Sequence, residues 1–115
     1  MSKTRDQIAQ QNITPAALEK IVSFNRPVVE EVKQALATHE WVVIGMSGNP
    51  YVKRARKLLT EKGIAFHYIE KGSYLTGWKV RLAIKLYTGW PTFPQVFHKG
   101  ILVGGFDDLK KHLNA

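Results

Sequence analysis

Five consecutive residues, Trp41-Val42-Val43-Ile44-Gly45, set the tightest limit on the architecture of this chain. A continuous apolar run rich in β-branched side chains is expected of a strand buried on both faces, and such a strand needs a layer of structure on each side. The next segment is equally directive. Met46-Ser47-Gly48 reads as a loop, and Asn49-Pro50 as a helix start: the asparagine side chain can accept from free backbone N–H groups, and proline suits the first helical position. That helix runs through Ala55, Leu58 and Leu59 and should stop at Gly63. Ile64 to Ile69 then reads as a second strand. The β-α-β order makes the two strands parallel, with a right-handed crossover.

The flanking segments fill in the layers. Thr14-Pro15 predicts a helix start leading into Ala16 to Phe24. A second helix begins near Pro27, with Val28, Val29, Val32 and Leu36 at helical spacing and Glu30, Glu31 and Lys33 on the other side. Tyr74 to Tyr87 predicts a further helix with Trp78, Leu82 and Tyr87 on its buried side, ending at Thr88-Gly89. Gln95 to Phe97 and Ile101 to Val103 flank a short glycine-containing turn and predict a hairpin. A last helix runs from about Asp107 to Leu113. The sum is an α/β domain with a four-stranded mixed sheet covered by helices. Residues 1–40 form a helical extension packed on it and residues 41–115 the domain proper.

The 115 residues contain no cysteine, which removes disulfides, cysteine metal sites and any cysteine nucleophile of the chain's own. The net charge of +8 is concentrated: residues 1–41 balance at zero, and residues 42–115 carry the excess. A basic half favours anionic partners, whether small carboxylates, nucleic acid or an acidic protein face; a solvated surface is the plainer reading. No apolar run approaches a membrane span, and Met1 to Asp6 lack the apolar core of a secretory signal, so a cytoplasmic address is expected. His39, His67, His98 and His112 have no metal-ligand spacing. The basic helix start at Lys53, Arg54, Arg56 and Lys57 carries no nucleic-acid signature with it.

Three local motifs, Gly45 to Ala55, Trp90 to Gln95 and Val103 to Asp108, in that order resemble those of the glutaredoxin family. Gly45 to Ala55 is similar to its active-site loop and following helix, with Asn49 and Val52 at the two cysteine positions. Trp90-Pro91-Thr92-Phe93-Pro94-Gln95 resembles the proline loop of the monothiol branch. Val103-Gly104-Gly105-Phe106-Asp107-Asp108 resembles the family's glycine pair and acidic turn. The resemblance covers about residues 41–113 and implies a thioredoxin-like fold, with a cis peptide between Phe93 and Pro94 and glutathione as ligand.

What the resemblance implies for individual residues can be weighed against their chemistry. In a working family member the helix N-terminus lowers the pKa of the first cysteine; Asn49 there can cap the helix or hydrogen-bond a ligand, but it cannot carry electrons. Met46 or Ser47 falls where the family has a basic residue, which removes one contact to a ligand carboxylate. Phe93, beside Pro94, would offer its backbone N–H and C=O to an extended peptide. Gly104, Gly105 and Phe106 would approach the γ-glutamyl end of glutathione, with Asp107 or Asp108 pairing with its ammonium or, alternatively, capping the last helix. Arg81 would take the glycyl carboxylate or lie solvated on the surface. Tyr51 and Thr92 complete the expected ligand wall, and no metal is expected.

Three functions are compatible with these residues. The first is a glutathione- or peptide-binding module of redox homeostasis without reductase activity. The second is an oxidoreductase or transferase that uses the ligand's own thiol. The third is a protein-interaction module related to the iron–sulfur monothiol branch.

Overall fold

In the computed structural model, residues 14–24 and 26–114 are described. The elements are α1 (Pro15–Phe24), α2 (Arg26–Thr38), β1 (Trp41–Gly45), α3 (Pro50–Glu61), β2 (His67–Glu70), α4 (Trp78–Thr88), β3 (Gln95–His98), β4 (Ile101–Gly104) and α5 (Phe106–Asn114). The sheet order is β2-β1-β3-β4, with β1 parallel to β2 and antiparallel to β3, and β3 antiparallel to β4. The β1–α3–β2 crossover supplies the parallel pair. A two-residue turn at Lys99-Gly100, both with positive φ, closes the β3–β4 hairpin.

All five residues of β1 are buried, and their alternation divides the core. Val42 and Ile44 join Ile69 and Phe97 under Val28, Val29, Val32 and Ala35 of α2 and Ala83 and Ile84 of α4. Trp41 and Val43 join Val96 under Ala55 and Leu59 of α3 and Leu109 of α5. α2 therefore covers one face of the sheet. Among the described residues, no helix is long and apolar enough to cross a membrane.

Two expectations need correction. The second strand is shorter than Ile64–Ile69 and begins at His67, where pairing with Val42 starts. Helix α4 begins at Trp78, and Tyr74 lies in the loop before it. Gly77, with φ 79°, stands in the left-handed region that glycine tolerates and interrupts any helix running on from Tyr74. The buried side of α4 is Arg81, Ala83, Ile84 and Leu86; Trp78 and Tyr87 are exposed, so the expected aromatic packing of this helix is absent.

The close of β1 is tightly fitted. A Cβ on Gly45 would lie 2.5 Å from Val52 Cγ1 and 3.1 Å from Tyr68 Cε1. We expect Gly45→Ala to destabilise the fold by about 1–3 kcal/mol in urea denaturation, as overpacking does, and Val52→Ala in the same chain to recover part of that loss.

Candidate functional site

The β1–α3 loop, the start of β3 and the end of β4 meet at one end of the sheet, because Ile44 pairs with Gln95 and Val96 with Gly104. Asn49 is the N-cap of α3: it is extended (φ −88°, ψ 119°), buried, and its Oδ1 accepts from the backbone N–H of Tyr51 (2.8 Å) and Val52 (3.1 Å). Those are two of the donors that a helix start leaves unpaired. Val52 is fully buried against the core and presents nothing to solvent. Tyr51 is half exposed, with the Arg54 guanidinium 5.0 Å from its ring centroid.

The Phe93–Pro94 peptide is cis. The Phe93 ring and the Met46 side chain are buried in the core, while no described residue engages the backbone N–H or C=O of Phe93. Thr92 is exposed beside it. Gln95, wholly buried, donates from Nε2 to Trp90 O at 3.0 Å. The buried Gln95 Oε1 and Trp90 Nε1 have no hydrogen-bond partner among the described residues. A Cβ on Gly105 would be 3.8 Å from Pro94 O and 4.0 Å from Trp90 Nε1. The indole N–H is thus a member of this corner, where the sequence placed Trp90 only as an aromatic of the core or of the ligand wall, with no role for its N–H. The signal was present in the proline-loop motif, but only the fold turns Trp90 towards the glycine pair.

Gly104 (φ 126°) has no room for a side chain, because the Asp108 carboxylate sits where its Cβ would be. Asp108 Oδ2 accepts from Gly105 N at 3.0 Å, reaching back from the first turn of α5 as in a capping box. Asp108 is therefore a helix cap, and Asp107 is the exposed carboxylate of the turn. Phe106, half-buried, packs against the core beneath.

Arg81 is not a solvated surface residue. It is buried, and its Nη1 donates to Lys71 O (3.1 Å) and Thr76 O (2.7 Å), pinning the loop that leads into α4. Lys85, one turn further on, lies 5.8 Å from the Phe93 ring centroid, and burial, then the Arg81 charge, holds its ammonium below the ordinary lysine value.

All four histidines gather at the opposite end of the sheet. His39 and His67 stack at 4.3 Å; His98, stacked on Trp41, bridges Glu40 (3.1 Å) and His112 (3.2 Å). Sequence spacing gave no hint of this clustering, which arises from strand pairing. Among the described residues, no group of three or more potential metal ligands forms.

The glutaredoxin family model matches residues 42–103, which span both the strand–loop–helix unit and the hairpin. The chain belongs to the glutaredoxin family. A glutaredoxin-like protein from Dictyostelium discoideum is 46% identical over 94 residues, covering 82% of this chain and 76% of the relative. Human glutaredoxin-3 is 33% identical over 91 residues, covering 74% of this chain and only 26% of that longer protein. Among solved structures, a mutated buckwheat glutaredoxin superposes with a TM-score of 0.68 at 26% identity, covering 84% of this chain and 86% of that one. A buckwheat glutaredoxin–glutathione complex shares the fold with a TM-score of 0.66 at 24% identity, over 80% and 84% of the two chains. The thioredoxin-like fold of this cysteine-free glutaredoxin is thereby established.

Two measurements check the local chemistry. Asn49→Ala should cost about 1 kcal/mol in denaturant titration, whereas Asn49→Asp should keep or raise stability, since it retains the acceptor and adds a charge favoured at a helix N-terminus. On the edge strand, burial and the Tyr68 Oη–Glu70 hydrogen bond push the Tyr68 phenol from 10.0 up to about 12, the Arg56 guanidinium partly opposing them. A raised folded-state value favours the neutral phenol. Its contribution to stability is full below pH 10.0 and is lost as pH rises to about 12. Phenolate absorbance should show one late-ionising tyrosine, absent in Tyr68→Phe.

Proposed function

We propose that this glutaredoxin is a recognition protein of redox homeostasis, active in the cytoplasm, that binds glutathione or a glutathione-like extended peptide without exchanging sulfur with it. The observation that carries this reading is the state of the α3 N-terminus. Where chemistry would need a thiolate, Asn49 presents an amide whose oxygen is already committed to Tyr51 N and Val52 N. With no cysteine in the chain, no mixed disulfide can form on it.

Recognition features persist around that point. The free backbone edge of Phe93 can pair with an extended peptide, and the exposed carboxylate of Asp107 is available to an ammonium. Glutathione, the ligand in the buckwheat complex, offers both partners. The second contact expected of Arg81 has less support, since Nη1 is spent on two carbonyls. Use of the ligand's own thiol is also weakly supported: the helix donors that would stabilise a thiolate are occupied by Asn49. A bridging iron–sulfur cluster would lack the protein thiolate that the monothiol branch supplies.

Calorimetric titration tests the reading. Glutathione and S-methylglutathione should bind with similar affinity, because the sulfur is not used, and Asp107→Ala should weaken both about tenfold, as loss of a charge-assisted hydrogen bond does. Intact mass should show no glutathione adduct. Absence of heat with either ligand, or an adduct on the parent chain, contradicts the proposal. Asn49→Cys should restore a glutathione-reactive thiol with a pKa below the free value of about 8.5.

A further inference from the structure

Beside the candidate site, the chain displays apolar side chains that a monomer has no structural reason to expose. Tyr74 is 67% exposed, Leu75 92% and Trp78 62%, all within five residues; Tyr51, at the start of α3, is 50% exposed. The Tyr74 ring lies beside Gly48, where a Cβ would be 3.9 Å from Tyr74 Cδ2, so this group adjoins the loop that leads to Asn49.

The segment that carries Tyr74 and Leu75 is held firmly. Arg81 Nη1 binds Lys71 O and Thr76 O; Ser47 N donates to Gly72 O (2.8 Å) and Ser73 N to Thr76 O (3.0 Å); Leu75 N donates to Ser73 Oγ (3.2 Å). Gly72 and Gly77 cross so closely that a Cβ on either would lie 2.9 Å from the Cα of the other. A buried arginine and two crossing glycines thus fix a loop whose tip points its largest side chains into water. Burying apolar surface on such a fixed loop costs little ordering entropy.

The charges seen against these rings are positive, and the carboxylate at the foot of the loop, Glu31, is paired with Lys71 at 2.6 Å. Arg54 lies over Tyr51 (5.0 Å) and Lys79 over Trp78 (5.7 Å), Lys53 is exposed on the same helix start, and Glu61 and Glu70 are the sole carboxylates of the sequence between residues 41 and 106. A hydrophobic centre with a cationic rim complements a segment that has the reverse pattern.

We propose that Tyr74, Leu75, Trp78 and Tyr51 form a docking surface for a partner protein, which engages it through an extended segment carrying aspartate or glutamate around an apolar anchor. The anchor packs on Leu75 and Tyr74, and the flanking carboxylates face Arg54 and Lys53. The surface adjoins the Gly48 loop and does not depend on glutathione binding at the Phe93 edge.

Selection of a phage-displayed random peptide library on the intact protein tests this. Enriched peptides should combine acidic residues with leucine or an aromatic, and their synthetic forms should bind in fluorescence polarisation. Binding should weaken at least about tenfold in Leu75→Ser and in Tyr74→Ser, as hot-spot truncation does, and should also weaken on raising salt to about 0.5 M. Because Leu75 is 92% exposed, Leu75→Ser should keep the parent melting temperature. Its glutathione calorimetry should also match the parent's, so failure of docking and failure of glutathione binding read out separately. Four results would overturn the proposal: no enrichment, peptides without acidic residues, binding indifferent to Leu75 and Tyr74, or attachment of the protein through these residues to phosphatidylserine vesicles instead.

Discussion

The side-chain oxygen of Asn49 takes two amide protons that a helix start otherwise leaves open, at 2.8 and 3.1 Å, and the character of this protein turns on that contact. In a catalytic relative the same donors face a sulfur anion, and the helix dipole makes that anion cheap to form. An amide uses the donors for folding instead. Val52 extends the change: its branched side chain enters the core and fits against Gly45 so closely that neither residue can grow. Positions that would serve redox chemistry have become positions that hold β1 to α3.

The neighbouring corner has not been converted in the same way. Among the described residues, Phe93 keeps an unengaged backbone edge and Trp90 a buried indole N–H with no acceptor, and Asp107 is exposed. A buried donor without a partner costs about 1–3 kcal/mol unless water or a ligand answers it, so this corner is less self-sufficient than the α3 cap. The contrast between a closed chemical position and an open binding edge is the physical basis for reading the protein as a binder.

Much of the fold was legible because local signals and tertiary needs agree. The β-branched run at Trp41–Gly45, the Asn49-Pro50 start and the Lys99-Gly100 turn each specify one local conformation, and strand order follows from the short connections. The error at Tyr74–Trp78 has a definite cause. Helical spacing of two aromatics suggests a buried face, but Gly72 and Gly77 adopt positive φ and Arg81 draws the loop carbonyls inward, so the aromatics point out. The site was legible as motifs and less so as roles. Asp107 and Asp108 are chemically equivalent in sequence, and only the closeness of Asp108 to Gly104 and Gly105 makes one a cap and leaves the other free. The grouping of four distant histidines was beyond any spacing rule.

Arg81 links the two surfaces of this end of the molecule. Had its guanidinium faced solvent, the 71–77 loop would be without its anchor. Turned inward, it spends Nη1 on the Lys71 and Thr76 carbonyls and fixes the loop that carries Tyr74 and Leu75. Lys85, held below the ordinary lysine value by burial and by the Arg81 charge, lies 5.8 Å from the Phe93 ring centroid. The arginine cannot serve both surfaces at once through the same Nη1. One orientation of the guanidinium therefore commits Nη1 to backbone carbonyls and holds the apolar side chains of the loop outward.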